Sequence, residues 1–180
     1  MNIRFSVIVS IIVVLAFYRV LPHPPNVSPV AAMALFGGVY FSDRKLAFII
    51  PLFSLVVSDL IIGLHDTLPF VYGAFAVTVL AGIWLRDKLS LMSVAGTALA
   101  ASLLFFVVTN FGAWLFNPGL YPMTSAGLLQ SYVAGIPFYA NTLIGDLFFT
   151  ALLFGGFHIL ERNISGLIDE PSFNRTERIL

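Results

Sequence analysis

"YRVLPHPPNVSPVAAMALFGG", residues 18–38, decides how many helices this chain can have. It lies between two apolar runs, and its first half cannot be helical throughout. Pro22, Pro24, Pro25 and Pro29 each lack an amide donor and push the preceding residue away from helical angles. The reading is a stiff extended loop running into a short apolar helix at residues 30–41. Ser28 or Asn26 would cap that helix, with Pro29 in its first turn. Residues 30–41 rise only about 18 Å, whereas a bilayer core is about 30 Å thick. Such a helix spans only where the bilayer is thinned, or where polar residues before it continue the helix inside a bundle.

The rest of the chain says that the setting is a membrane. Of 180 residues, 59% are hydrophobic and only 10% are charged. A soluble domain is nearer half apolar and about a quarter charged. The apolar runs are continuous rather than alternating, which excludes a barrel. The expected fold is all-α: a polytopic membrane bundle of about six transmembrane helices. They are placed at residues 3–20, 30–41, 46–64, 69–85, 91–115 and 141–160. "SAGLLQSYVAGIPF", residues 125–138, reads as an interfacial or re-entrant piece before the last helix. The N-terminal run lacks a small-residue cleavage pattern and reads as an uncleaved first span. Residues 1–162 form a single transmembrane domain, and residues 163–180 a polar cytoplasmic tail without chemistry. Zero net charge leaves no nucleic-acid footprint. The absence of cysteine excludes disulfides, thiolate metal ligands and cysteine nucleophiles.

Nine basic residues test this map. Six spans place Arg4, Arg44, Lys45, Arg86, Lys88, Arg162, Arg175 and Arg178 on one side, and Arg19 alone on the other. Basic loops mark the cytoplasmic side, so both termini are expected there. A five-span map, with helix 2 not crossing, moves only Arg4 to the outside.

Polar residues collect at the outer level. Arg19, His23 and Asn26 end helix 1 and enter the loop, and Asp59 lies near the outer end of helix 3. His65 and Asp66 form the next outer turn, with Tyr72 at the start of helix 4. Asn110 ends helix 5, Asn141 starts helix 6, and Asp146 lies about one and a half turns into it. Ionisable groups at membrane depth are costly, so they pair or face a polar cavity. Arg19 is the only base at the level of Asp59 and Asp146 and is expected to pair with Asp59. Together these ten residues would form a ligand pocket open to the outer face. Arg19 and Asp59 would set its shape, while His23, Asn26 and Asn141 hydrogen-bond the ligand. Ala31, Ala32, Ala34, Gly37 and Gly38 let helix backbones approach closely, as do Gly155 and Gly156. The two sets would pack together or dock a partner.

No phosphate-binding glycine loop, paired-histidine zinc motif or nucleophile elbow is present. The chain therefore reads as a binding protein rather than an enzyme, with no catalytic residue, metal or cofactor assigned. Two alternatives stay open. One is a membrane enzyme with an Asp/His metal centre on the outer face. The other is a ligand-free accessory subunit, with no cavity between the outer halves of helices 1, 3 and 6.

"RVLPHPPNVSPVAAMALFGGVYF", "SDLIIGLHDTLPFVYGAF", "VTNFGAWL" and "NTLIGDLFFTALLFGGF" resemble an uncharacterised family of small bacterial inner-membrane proteins with a Leu-Pro-His-Pro-Pro-Asn block. The architecture is similar to the S components of energy-coupling-factor vitamin transporters. That likeness implies multi-pass insertion in the bacterial inner membrane and capture of a vitamin-like molecule behind a gating loop after helix 1. It also implies docking to an ATPase and coupling membrane module through small residues. Helix 1 lacks the Ala-x-x-x-Ala pattern of that class, and Ala34 and Gly38 are the nearest substitute. Solitary proteins of the class handle cobalamin, sometimes with a cysteine on cobalt. Here His23 or His65 would have to take that place, or the cobalt would have no axial protein ligand.

Overall fold

The computed structural model describes residues 3–167, and among these there is no strand. Six helices follow in order: α1 (Ile3–Tyr18), α2 (Val30–Tyr40), α3 (Arg44–Ile62), α4 (Leu68–Leu85), α5 (Leu91–Phe116) and α6 (Ser125–Asn163). Short 3-10 turns occupy Arg86–Lys88 and Ser165–Leu167. Four helices are long and apolar enough to cross a membrane; α1 and α2 are shorter apolar helices. The protein is thus a membrane-type helical bundle. Residues 168–180, most of the expected tail, lie outside the described residues.

Polar residues at the helix starts explain several boundaries. Asp43 accepts from the Lys45 amide at 2.7 Å, starting α3. Ser90 and Ser93 form a reciprocal capping box at α5, with bonds of 2.9 and 3.1 Å. Thr124 accepts from the Gly127 amide at 3.2 Å, starting α6. The expected cap of α2 is not made. Pro29 is its N-cap residue and the Ser28 hydroxyl oxygen is buried without a hydrogen bond.

The expected break between a re-entrant piece and a last helix is also absent. Residues 125–163 form one 39-residue helix that runs through Pro137. Proline removes one internal hydrogen bond, but packing on α5 holds the helix together across it. Ser131 donates to the Asn110 carbonyl at 3.2 Å, and the Tyr132 hydroxyl to the Val107 carbonyl at 3.1 Å.

The first and last helices meet at one end of the bundle. Arg4 and Glu161, both buried, form an ion pair at 2.5 Å, and Arg4 also donates to the Leu167 carbonyl. The Arg4 guanidinium lies 5.3 Å from the Phe157 ring centroid. At the same end Arg86 closes α2: it donates to the carbonyls of Gly38 at 2.7 Å, Ser42 at 3.1 Å and Phe41. A cation at carbonyls freed by a helix end is favourable. The start of α1 and the end of α6 therefore share this basic end, and Arg19 lies at the other.

The short helix α2 occupies the centre. Every residue from Ala32 to Tyr40 is buried, and it packs on α1, α3, α4, α5 and α6. Its glycines fit specific neighbours. A Cβ at Gly38 would come within 2.5 Å of the Val79 carbonyl oxygen, and one at Gly82 equally close to that of Leu35. A Cβ at Gly37 would meet the Pro51 ring at 2.6 Å. The small residues of α2 thus serve close packing on α3 and α4. Ala32, Ala34, Gly37 and Gly38 are buried, and Gly155 and Gly156 have open space around them rather than α2.

Candidate functional site: a cavity at the end away from the basic loops

The loop at residues 18–29 turns tightly over the bundle. The Val27 amide donates to the Pro24 carbonyl at 3.1 Å, and Asn26 has φ 63°. That left-handed angle suits asparagine better than most side-chain-bearing residues. Asn141 fixes the turn to α6 by donating to the Pro25 carbonyl at 3.0 Å. Gly145 allows the loop to lie against the helix, since a Cβ there would touch the Ser28 amide nitrogen at 3.1 Å.

Beneath this loop Arg19 pairs with Asp59 at 2.8 Å, as their shared depth predicts. The Asp59 side chain is 3% exposed, so both of its carboxylate oxygens need partners. Arg19 takes one, and the Tyr72 hydroxyl donates to the other at 2.9 Å. Arg19 also donates to the Ser58 hydroxyl oxygen, and that hydroxyl donates to the Leu55 carbonyl at 2.8 Å. The ends of α1, α3 and α4 are locked together by this network.

The network forms one side of a cavity of about 440 Å³. Six of the ten expected residues line it: Arg19, His23, Asn26, His65, Asn110 and Asp146. Its rim includes the exposed residues Asn26, His65 and Phe138, while Asp146 is buried, 3% exposed. The other four lie outside the lining. Asp59 and Tyr72 stand behind Arg19 and hold it; Asn141 holds the loop; Asp66 is an exposed turn residue. The cavity thus lies between the loop, the end of α3, the start of α4, α5 and α6, rather than among helices 1, 3 and 6 alone.

Several lining groups are preset by their own bonds. His23 Nδ1 lies 2.7 Å from the Leu21 carbonyl oxygen. A carbonyl only accepts, so Nδ1 carries the proton, and in the neutral ring Nε2 is left as an acceptor. The ring packs on Tyr18 at 5.4 Å between centroids. Asn110 donates to the Phe106 carbonyl at 2.8 Å and presses its amide oxygen towards Gly135, where a Cβ would lie only 2.4 Å away. Phe106 and Tyr139 face each other at 4.8 Å and form an aromatic wall. Asp146 differs from all of these: its Oδ2 is buried with no hydrogen-bond partner.

Residues 1–169 match the family described as "Family of unknown function (DUF6580)". The chain belongs to that family. No curated protein and no solved structure matches it. The match covers the loop, the Arg19–Asp59 pair and every wall of the cavity in this DUF6580 member.

Sequence reasoning missed Ser28 as a wall residue, along with Thr67, Thr109 and Thr142. The signal was present for Thr109 and Thr142, polar residues inside the apolar helices α5 and α6. A threonine hydroxyl in an apolar helix can simply bond its own helix, as Thr109 and Thr142 do to the Phe105 and Phe138 carbonyls at 2.7 and 3.1 Å. Among the described residues, no group of three or more His, Asp or Glu side chains could hold a metal ion.

Proposed function

We propose that this protein is a multi-pass protein of the bacterial inner membrane that captures a small molecule from the outer face. One observation carries the reading: a cavity of about 440 Å³ whose polar walls come from residues as far apart as Arg19 and Asp146. The volume falls within the range of about 300–1,000 Å³ typical of small-molecule sites. Aromatic faces and a few fixed hydrogen-bonding groups are the usual lining of such sites. The Arg19–Asp59–Tyr72 network supports the same reading, because it holds one wall before any ligand arrives.

Both termini face the cytoplasm in this proposal, since Arg4, Arg44, Lys45, Arg86, Lys88 and Arg162 gather at the opposite end. The cavity then opens outward, beneath the loop after α1. That arrangement is the one expected of a vitamin-capturing S component, and we extend the proposal to uptake of a vitamin-like molecule. The size of the cavity favours a compact ring compound over a corrinoid such as cobalamin. An ATPase and coupling module would supply the energy. It would dock on a surface other than α2, whose small residues are buried.

The test is thermal unfolding of the full chain in lipid nanodiscs against a panel of water-soluble vitamins and their precursors. The expected result is one compound that raises the unfolding temperature in the unmodified protein and not in the variant Asn110→Leu. A panel without effect, together with no small molecule retained through purification, contradicts the proposal.

A further inference from the structure

The charges around the cavity do not balance, and the imbalance identifies its ligand class. Among the lining residues Arg19 is the fixed cation, and its charge is already met by Asp59 at 2.8 Å. Asp146 is the only acid in the lining. It is 3% exposed, and its Oδ2 has no partner. The Ser28 hydroxyl oxygen also lines the cavity and is also buried without a partner. The Ser28 amide nitrogen lies against Gly145, the chain neighbour of Asp146 in α6. Behind them Ser102 of α5 is fully buried, and its hydroxyl is the polar neighbour of the Asp146 carboxyl on that side. Buried polar atoms are nearly always hydrogen-bonded, so the partnerless Oδ2 of Asp146, in the wall of an open cavity, is an acceptor awaiting a donor. An unpaired carboxylate at membrane depth calls for a positive group.

We propose, resting on the capture reading above, that the cavity binds an organic cation whose nitrogen-bearing group donates to Asp146 and Ser28. An ammonium or amidinium has several donors and no acceptor, which matches a carboxylate next to hydroxyl oxygens. Phe138 and the Phe106–Tyr139 wall enclose the organic part of the ligand. The cation lies away from Arg19, whose own charge remains with Asp59.

Three probes of one shape and different charge test this: benzamidinium chloride, benzamide and sodium benzoate, titrated by calorimetry into the full chain in nanodiscs. Benzamidinium is expected to bind roughly ten-fold more tightly than benzamide, with benzoate weakest, because only the cation forms charge-assisted bonds to Asp146. Asp146→Asn should abolish the advantage of benzamidinium over benzamide while benzamide binding persists. Ser28→Ala is the second variant, and it should reduce the same advantage even if Asp146→Asn fails to fold. Equal affinity for benzamidinium and benzamide, or an advantage that survives both substitutions, overturns the cation assignment. So does stabilisation by sodium ions that depends on Asp146 without any preference for benzamidinium. Retention of a neutral or anionic compound overturns this inference alone. Failure of all three probes, with nothing retained through purification, overturns the capture reading as well.

Discussion

At the residue scale a partly buried ion pair holds a wall of the cavity. Arg19 lies in the turn after α1 and Asp59 in α3, and Tyr72 takes the second carboxylate oxygen. Removing Arg19 leaves the Asp59 charge buried and unmatched, at a cost of roughly 3–5 kcal/mol. Asp59→Asn and Arg19→Ala should each lower the unfolding temperature markedly, while Arg19→Ala/Asp59→Ala together should cost less than the sum of the two singles. Additive losses would show that the pair is not coupled. Asn26 gives a second prediction. At φ 63° it is replaced by glycine at little cost, whereas valine is strained by roughly 1–3 kcal/mol. Equal unfolding temperatures for Asn26→Gly and Asn26→Val would contradict the tight turn. The ion pair was legible because charges inside apolar helices are few and their depth can be counted. The separation of cavity-lining groups from those behind them was not, because helical rotation and loop path decide which way a side chain faces. Asp59, Asp66, Tyr72 and Asn141 stand outside the lining for that reason.

At the element scale α2 is the unusual piece: a short helix buried along nearly its whole length. Its contact with α4 is backbone against backbone at Gly38 and Gly82, and no side-chain rotation relieves a clash there. Gly38→Ala should therefore destabilise the protein by about 1–3 kcal/mol, the usual cost of overpacking. Gly155→Ala, at a position with open space around it, should change little. Similar stabilities for the two variants would refute the central placement of α2. Helix positions in the sequence were readable from apolar runs and flanking prolines, and most boundaries agree within two or three residues. The continuity of α6 was not readable. Pro137 and the polar residues around it argue locally for a break, and only the packing of Gly135, Ser131 and Tyr132 on α5 overrides them.

At the scale of the whole molecule, the described basic residues other than Arg19 lie at one end and the cavity at the other. The cysteine-free chain allows a direct check of orientation. Single cysteines replacing Asp66 and Gly119, at the cavity end, should react with an impermeant maleimide in intact cells. Cysteines replacing Lys45 and Lys88 should react only after lysis. The reverse pattern would invert the bundle and turn the cavity to the cytoplasm. The six-helix class and the gathering of polar residues at one end were legible from composition and charge. The volume of the cavity, and the unmatched oxygens of Asp146 and Ser28, exist only once the loop has folded back onto α6. The most direct test of capture compares the small molecules released from two proteins purified in parallel in mild detergent, the unmodified chain and Ala113→Trp, which fills the cavity. Mass spectrometry should find one compound enriched at near one-to-one ratio with the unmodified chain and depleted in the filled variant. Identical profiles from both proteins would contradict the account.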